Sequence, residues 1–330
     1  MSVGEPDEKG EVKREIWFPK RVLITGAGTL GTELARQLNY RCLEVRMMDN
    51  SEEALWNLEE ALPRNASVTY NLGDVRDRSR VRQLMYGCDM CIHTAALKHV
   101  KYTNTNPEET TETNVRGVNN MVIEAMECRT LERFVFISSD KACYPTNIYG
   151  ETKRIGETVT AWANDQAHRG MLAKSFASFR FGNFLGSRGS VFDRWKKQRA
   201  DGEIHLTSPH MNRYFIKPAE VAGYIIKMSG SRDIGGTVVV PFMRNLNMGI
   251  IASIVAEKWN VEVATDEPVP GEKIDEAIVG EEEAHRTEMN KDGFIIRPRV
   301  FDGSLGSQVS TRTTPVSDAL NTKRYIEEVI

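Results

Sequence analysis

The segment Leu23-Ile24-Thr25-Gly26-Ala27-Gly28-Thr29-Leu30-Gly31 places a GxGxxG pattern between an apolar, strand-like run and a helix-like run. Glycines at this spacing let the turn close and let backbone N–H groups approach a pyrophosphate at the positive end of the helix. Asp49 ends the next strand-like run, where a carboxylate can accept ribose hydroxyls. This pattern favours a dinucleotide-binding βαβ unit over a plain glycine turn.

Strand-like and helix-like runs alternate on both sides of this segment. The predicted strands are 22–25, 44–48, 68–72, 90–93 and 134–137, and the predicted helices include 31–39, 81–85, 107–129 and 147–165. Such alternation is typical of an α/β fold with a doubly wound parallel sheet of the Rossmann type. We therefore expect a polar N-terminal extension (1–20), a Rossmann domain carrying the catalytic residues (21–180) and a smaller lobe (181–330), some segments of which return to the core.

The composition excludes several classes of protein. With 330 residues, of which 40% are hydrophobic, the chain can bury a large core. The net charge of -3 argues against a general nucleic-acid binder, and the sequence has no apolar run long enough for a membrane span. Five cysteines, an odd number, favour reduced thiols over a disulfide framework. We predict a cytoplasmic protein without a metal site.

The ends of the predicted strands indicate the cofactor. Asp49-Asn50 favours NAD over NADP, because a carboxylate repels the 2′-phosphate of NADP. Asp74-Val75 follows the third strand, where the adenine would lie, and Thr94-Ala95-Ala96 offers small side chains for a close approach. The predicted dinucleotide-binding residues of this half are Gly26, Gly28, Thr29, Leu30, Gly31, Asp49, Asn50, Asp74, Val75, Thr94, Ala95 and Ala96.

The stretch from Ser138 to Lys153, SSDKACYPTNIYGETK, carries the predicted reacting centre. Tyr149 and Lys153 are four residues apart and share one face of a helix. An adjacent ammonium group and a nicotinamide cation both favour the phenolate, so Tyr149 can take a proton from an alcohol. An incidental pair of exposed residues is the alternative for YxxxK by itself.

With these motifs the sequence resembles the extended short-chain dehydrogenases/reductases, and among them the inverting UDP-N-acetylglucosamine 4,6-dehydratases. The other motifs that carry the resemblance are HTAALKHV (93–100), TNVRG (113–117), RFGNFLGSRGSV (180–191), NRYFI (212–216) and PGEKIDE (270–276). They occur in order across nearly the whole chain after the extension. A lysine after the aspartate in SSDK is the mark of the inverting enzymes.

The resemblance implies a catalytic cycle without net redox change. Tyr149, with Lys153, would deprotonate the sugar 4-hydroxyl while hydride leaves carbon 4 for the nicotinamide. Lys141 would then remove the carbon 5 proton, and Asp140 would protonate the departing 6-hydroxyl. Ser139 would hydrogen-bond the 4-oxygen. Return of hydride to carbon 6 gives a 4-keto-6-deoxy sugar, so the cofactor stays bound throughout.

The same resemblance implies further residues for the cofactor and UDP-sugar sites, and it implies an oligomer. Lys98, Asn114, Ser138, Tyr149 and Lys153 would contact the cofactor. The residues implied for the UDP-sugar are Lys98, Lys141, Asn183, Arg188, Val191, Thr207, Arg213 and Glu272, with Arg188 and Arg213 as partners for its diphosphate. The plain alternative for Lys98 and the two arginines is an exposed surface charge. A homo-oligomer, a dimer or higher, is expected through apolar stripes on the helices 107–129 and 147–165.

Two departures from the family pattern bear on the geometry of the dinucleotide loop and on the choice of sugar. The loop TGAGTLG is one residue shorter than the usual TGxxGxxG, and Asp275 stands where the family commonly has His. Two other functions remain open at this point. A UDP-sugar 4-epimerase would need only Tyr149 and Lys153, and a non-catalytic NAD-binding protein would need neither.

Overall fold

The structure of the protein is a computed structural model that describes residues 17–64, 66–231, 233–267, 270–298, 305 and 307–330. Of the predicted extension, residues 1–20, the first sixteen lie outside the described residues. Its last part contacts the core: the guanidinium of Arg133 lies 4.7 Å from the ring centre of Trp17, and that of Arg41 lies 4.5 Å from the ring centre of Phe18.

Strands and helices alternate through the first half of the chain, as the sequence predicts. The strands are β1 (Arg21–Thr25), β2 (Glu44–Asp49), β3 (Val68–Leu72), β4 (Met90–His93), β5 (Arg133–Ile137), β6 (Ser175–Phe179), β7 (Asn183–Phe184), β8 (Glu203–Leu206), β9 (Asn212–Ile216), β10 (Val238–Pro241), β11 (Arg244–Asn247), β12 (Glu262–Thr265), β13 (Ala277–Val279), β14 (Thr287–Asn290), β15 (Gly293–Ile296) and β16 (Val309–Ser310). The α-helices are α1 (Thr29–Leu38), α2 (Glu52–Glu60), α3 (Arg78–Met85), α4 (Val100–Thr105), α5 (Pro107–Thr111), α6 (Gly117–Glu127), α7 (Ile148–Arg169), α8 (Val191–Gln198), α9 (Pro218–Ser229), α10 (Met248–Trp259), α11 (Glu281–Ala284) and α12 (Ala319–Ile326).

Within the described ranges the main sheet has nine strands, in the order β14-β15-β10-β6-β5-β4-β1-β2-β3. The seven strands from β10 to β3 run parallel, and β15 and β14 are added antiparallel at one edge. This confirms the doubly wound fold. Because the chain order reverses between β1 and β4, a crevice opens at the carboxyl ends of these strands.

Apolar residues cover both faces of the main sheet. On one face α1, α2 and α9 pack through residues such as Leu34, Leu58 and Ile225, and on the other α3, α6 and α7 pack through residues such as Leu84 and Met121. The parallel strands are therefore apolar on both sides, as sheets covered by helices on both faces require. This arrangement fixes the strand ends that carry the site.

A smaller lobe has its own core around α8, α10 and α12, where Trp195, Ile251 and Ile326 are buried together. Strands β10, β14 and β15 come from the same half of the chain but join the main sheet. The division of the chain at residue 180 stays a prediction.

The predicted long helix over 107–129 is interrupted. A π-helical segment, Glu112–Arg116, separates α5 from α6, and a short helix that the sequence did not predict, α4, precedes them. π-Helical turns widen a helix locally and often lie at functional sites. In the part of the chain that the structure describes, the helices lack the combination of length and apolar character needed to cross a membrane.

Candidate active site

A cleft of about 650 Å³ opens at the carboxyl ends of the parallel strands and extends to the smaller lobe. Most of the residues predicted for cofactor and substrate line it together. They are Gly26, Gly28, Thr29, Leu30, Asp49, Asn50, Asp74, Val75, Thr94, Ala95, Ala96, Lys98, Ser138, Ser139, Asp140, Lys141, Tyr149, Lys153, Asn183, Val191, Thr207, Arg213 and Glu272. Gly31, Asn114 and Arg188 are the exceptions among the predicted residues.

The glycines of the β1–α1 turn have distinct roles. Gly26 has a φ of +92°, a conformation that side chains rarely adopt, and a Cβ there would lie 2.8 Å from the backbone nitrogen of Ala95. A Cβ on Gly31 would overlap the carbonyl oxygen of Gly26. Gly28, at the N-cap of α1, has open space beside it. The turn therefore packs tightly at Gly26 and Gly31 and leaves room in the cleft at Gly28.

The amino end of α1 fits a diphosphate. Within the described structure, its N-cap makes no side-chain hydrogen bond and its first turn carries no acidic residue. Unpaired N–H groups at a helix N-terminus attract anions, because the helix dipole adds to their partial charge. The residues present thus fit the dinucleotide that the GxGxxG pattern predicts.

Asp49 closes the far side of the same turn. Its carboxylate accepts hydrogen bonds from the backbone N–H groups of Ala27, at 2.7 Å, and Ser51, at 2.8 Å. The nearby Arg46 is engaged elsewhere, since its guanidinium donates to Glu44 and to the carbonyl oxygens of Leu84 and Tyr86. The end of β2 therefore presents a carboxylate that Arg46 does not neutralise.

Tyr149 and Lys153 lie on the first turns of α7, which Asn147 caps by accepting a hydrogen bond from the backbone of Gly150. Lys153 is buried, and its ammonium donates to the carbonyl oxygen of Ile137 at 2.7 Å. Burial lowers the pKa of Lys153 to about 7. Burial raises the pKa of Tyr149, against a side-chain hydrogen bond with Ser139 that lowers it.

Lys141 lies between two carboxylates. Its ammonium nitrogen is 3.1 Å from Asp140 Oδ1 and 3.4 Å from Glu276 Oε1. Burial acts to lower the pKa of Lys141, but the two carboxylates outweigh it and raise the pKa above its ordinary value. Sequence reasoning did not single out Glu276, although it is the last residue of the quoted PGEKIDE motif.

A buried ion network lies beside the predicted reacting centre. Arg180 donates to both carboxylate oxygens of Glu157 and of Glu283, at 2.7–2.9 Å, and Glu157 also accepts a hydrogen bond from the hydroxyl of Ser138. Glu157 lies one turn after Lys153 on α7. The network therefore joins the ends of β5 and β6 to the helix that carries Tyr149 and Lys153.

Three predicted residues are not among those that line the cleft. Asn114, in the π-helical segment, donates to Leu97 O at 2.9 Å and accepts from Leu97 N at 2.8 Å, so it orders the segment before Lys98 rather than lining the cleft. Gly31 serves the packing of the turn. Arg188 donates to Ala27 O at 2.6 Å, and its carbonyl accepts from Lys98 at 3.0 Å, which ties the smaller lobe to the dinucleotide turn.

Arg213 and Asp275 brace the PGEKIDE segment. The guanidinium of Arg213 donates to the carbonyl oxygens of Asn212, Lys273 and Ile274 at 2.6–2.9 Å. Asp275 accepts from the side chains of Asn212 and Thr311. Contact of Arg188 or Arg213 with a substrate diphosphate stays a prediction.

The doubly wound sheet, the dinucleotide turn and the Tyr149–Lys153 pair define a protein of the short-chain dehydrogenase/reductase class. The family model described as "Polysaccharide biosynthesis protein" matches residues 22–298. The chain belongs to this family.

Individual relatives are similar to this chain over most of its length. It is 32% identical to an uncharacterized membrane protein of Methanocaldococcus jannaschii, over 88% of this chain and 89% of the relative. It is 30% identical to a UDP-N-acetylglucosamine 4,6-dehydratase (inverting) of Campylobacter jejuni, over 85% and 84% of the two chains. The solved structure of Pen from Bacillus thuringiensis, 27% identical, superposes with a TM-score of 0.89 over 95% of this chain and 98% of that one.

Proposed function

We propose that the protein modifies a nucleotide sugar, and specifically that it is an inverting UDP-N-acetylglucosamine 4,6-dehydratase. The observation that carries the proposal is the presence in one cleft of two proton-transfer sets, Tyr149 with Lys153 and Asp140 with Lys141. Oxidation at an alcohol carbon needs only the first set. Removal of a carbon-bound proton and of a hydroxide needs a second base and a second acid.

The cofactor in this proposal is NAD. When bound, a nicotinamide dinucleotide supplies the reversible oxidation of the sugar at carbon 4. The α1 N-terminus and Gly28 would hold its diphosphate, and Asp49 its adenosine ribose. The uncompensated carboxylate at the end of β2 supports NAD over NADP, because it would meet the 2′-phosphate with a like charge.

The first proton transfer belongs to Tyr149. Its phenol is protonated in the resting site, since burial holds its pKa above the ordinary value. The buried ammonium of Lys153, fixed by Ile137 O, lowers the cost of forming the phenolate when the cofactor's positive ring is also present. Ser139, whose hydroxyl donates to Asp140 at 2.9 Å, would contact the 4-oxygen of the sugar in this proposal.

The second set acts on carbons 5 and 6. Lys141 removes the carbon 5 proton, which the 4-ketone has acidified, and Asp140 delivers a proton to the departing 6-hydroxyl. Asp140 is 1% exposed, and its Oδ2 has no hydrogen-bond partner among the described residues, so one oxygen remains for the substrate. The smaller lobe, through Asn183, Val191, Thr207 and Glu272, would hold the UDP group.

A 4-epimerase is the second candidate, and one observation favours it. Lys141 is ion-paired in the resting site, and an ion-paired ammonium has no lone pair with which to act as a base. In an epimerase Asp140 and Lys141 would only bind the sugar. The product mass separates the two functions, because dehydration removes water and epimerisation leaves the mass unchanged.

The test uses the purified protein, NAD and UDP-N-acetylglucosamine, with mass spectrometry of the nucleotide sugar. We expect a product lighter by one water, and none from Tyr149→Phe. A product of unchanged mass that chromatographs as UDP-N-acetylgalactosamine would replace the dehydratase with the epimerase. If the sugar is unchanged while NAD binds, the substrate assignment is wrong.

A further inference from the structure

The predicted reacting centre contains a chain of four side chains that alternate between acidic and basic residues. It runs from Asp140 through Lys141 and Glu276 to Lys273, with contacts of 3.1, 3.4 and 3.2 Å. The last two of these residues belong to the PGEKIDE segment, and the first two follow β5. Two segments distant in sequence therefore meet at the ammonium that the proposed function uses as a base.

The carboxylate of Glu276 is fixed from several directions. The residue is 2% exposed, its backbone N–H donates to Thr311 Oγ1 at 2.9 Å, and its carbonyl accepts from Thr311 N at 2.8 Å. Lys273, which lies near Oε2, also donates to the carbonyl oxygen of Cys143 at 3.1 Å. Glu276 Oε1 is thus directed at Lys141, and Oε2 makes no hydrogen bond to the described residues.

The buried carboxylate of Glu276 can accept the proton that Lys141 must lose in the proposed reaction. A charged ammonium has no electron pair to offer, so Lys141 must lose a proton before it can attack a C–H bond. Asp140 is not the recipient in this scheme, because it starts the step as the neutral acid and delivers that proton to the leaving hydroxyl. Glu276 is a second acceptor in contact with the same nitrogen.

We infer that Glu276 is a positioning residue that takes the resting proton of Lys141 and so prepares the amine for carbon 5. The inference rests on the proposed dehydratase function. The proton moves from Nζ to Oε1 and leaves its electron pair on nitrogen, so a charged pair becomes a neutral pair. The nitrogen pair then forms a bond to the carbon 5 proton, and the electrons of the C–H bond move to the 4-ketone oxygen as an enolate.

The charges balance at each stage. After abstraction Lys141 is again an ammonium, Glu276 is a neutral acid and the negative charge lies on the sugar. The ammonium of Lys141 then interacts with the enolate, because the protonated Glu276 no longer carries a competing negative charge. A neutral Glu276 therefore stabilises the enolate indirectly, since it leaves the charge of Lys141 to the substrate.

The test is Glu276→Gln, which keeps the shape of the side chain and removes its ability to accept a proton. Two steps are measured on the complete protein with UDP-N-acetylglucosamine in deuterated water: reduction of the bound cofactor by absorbance, and deuterium exchange at carbon 5 by NMR. We expect carbon 5 exchange to fall about 100-fold, the size typical of a lost proton-transfer group, while cofactor reduction persists. Glu276→Asp should recover part of the exchange.

Glu282→Gln is the matched control, since it makes the same chemical change at an exposed glutamate of α11. It should leave both steps unchanged. The inference is overturned if Glu276→Gln exchanges carbon 5 at the normal rate. It is also overturned if Glu276→Gln and Glu276→Asp lose cofactor reduction and exchange together, which indicates a purely structural role. A wild-type protein that reduces no cofactor with UDP-sugars would instead overturn the proposed function itself.

Discussion

Lys153 donates a hydrogen bond to the carbonyl oxygen of Ile137 at 2.7 Å, so the helix that carries the predicted base is joined to the strand that ends at the reacting centre. The lysine is 4% exposed, and its ammonium lies 4.9 Å from the ring centre of Phe136. An amine in such surroundings is costly to keep charged. The buried position of this amine is therefore expected to lower the free energy of unfolding.

Lys153→Met should make the cofactor-free protein more stable at neutral pH. The pKa of Lys153 is lowered from 10.5 to about 7 by burial, so between these values the unfolded chain binds a proton that the folded protein does not. Burial of Lys153 lowers the free energy of unfolding of the wild-type protein by its full amount below pH 7. This loss shrinks as the pH rises from 7 and disappears above 10.5. Each pKa unit corresponds to about 1.36 kcal/mol.

The measurement is the free energy of unfolding of both proteins as a function of pH. We expect the advantage of Lys153→Met to shrink steadily from pH 7 upwards. Lys101→Met, at an exposed lysine, should show no such trend. A constant difference between wild type and Lys153→Met would contradict the burial argument.

Asp49→Asn should weaken the preference for NAD. The amide keeps the size of the side chain but loses the charge that accepts ribose hydroxyls and repels a 2′-phosphate. A hydrogen bond to a charged group contributes about 1.5–3 kcal/mol, so NAD affinity should fall roughly 10- to 100-fold. Titration calorimetry with NAD and NADP checks this, and the ratio of the two affinities should move towards NADP.

Glu53→Gln, on the exposed side of α2, is the control for a general change in charge near the site. It should alter neither affinity. If wild-type protein binds NADP more tightly than NAD, the assignment of Asp49 is wrong.

Gly31→Ala and Gly28→Ala separate packing from binding. A methyl group at residue 31 would overlap Gly26 O, whereas a methyl group at residue 28 meets no atom within 4 Å. Forced overpacking costs about 1–3 kcal/mol, so only Gly31→Ala should lower the melting temperature markedly. Gly28→Ala should retain the fold and lose dinucleotide affinity, because its methyl group lies in the cleft. Equal melting temperatures for the two variants would contradict this geometry.

The predicted homo-oligomer can be tested on α7. Ile155 and Trp162 are 44% and 51% exposed, and their spacing of seven places them on one face of the helix. Trp162→Glu should shift the protein towards the monomer in analytical ultracentrifugation, since a charge in an apolar contact is costly. Trp56→Glu is the matched control, since it makes the same change at an exposed tryptophan of α2, on the other face of the main sheet. A wild-type protein that sediments as a monomer would contradict the prediction.

The sequence predicts the fold where local pattern and tertiary packing agree. The turn at Gly26 and Gly31 and the strand ending at Asp49 are local features, and both lie where their spacing indicates. The helix over 107–129 is different, because a π-helical segment lets Asn114 pair with Leu97, a contact that no periodicity encodes.

The second half of the site depends on contacts distant in sequence. Glu276 reaches Lys141 only because Thr311 and Arg213 hold the PGEKIDE segment against the turn after β5. Arg180 likewise joins Glu157 to Glu283 through a buried network that requires three separate elements. The local sequence does not show that these charged residues are buried, because their burial depends on contacts between distant segments.

The most direct test of the central claim is the fate of carbon 5. The protein is incubated with UDP-N-acetylglucosamine and NAD in deuterated water, and the product is followed by NMR. The account predicts a 4-keto-6-deoxy sugar with deuterium at carbon 5 and ring couplings that indicate inversion at that centre. UDP-N-acetylgalactosamine with protium at carbon 5 would contradict it, because such a product needs Tyr149 and Lys153 but not Asp140 and Lys141.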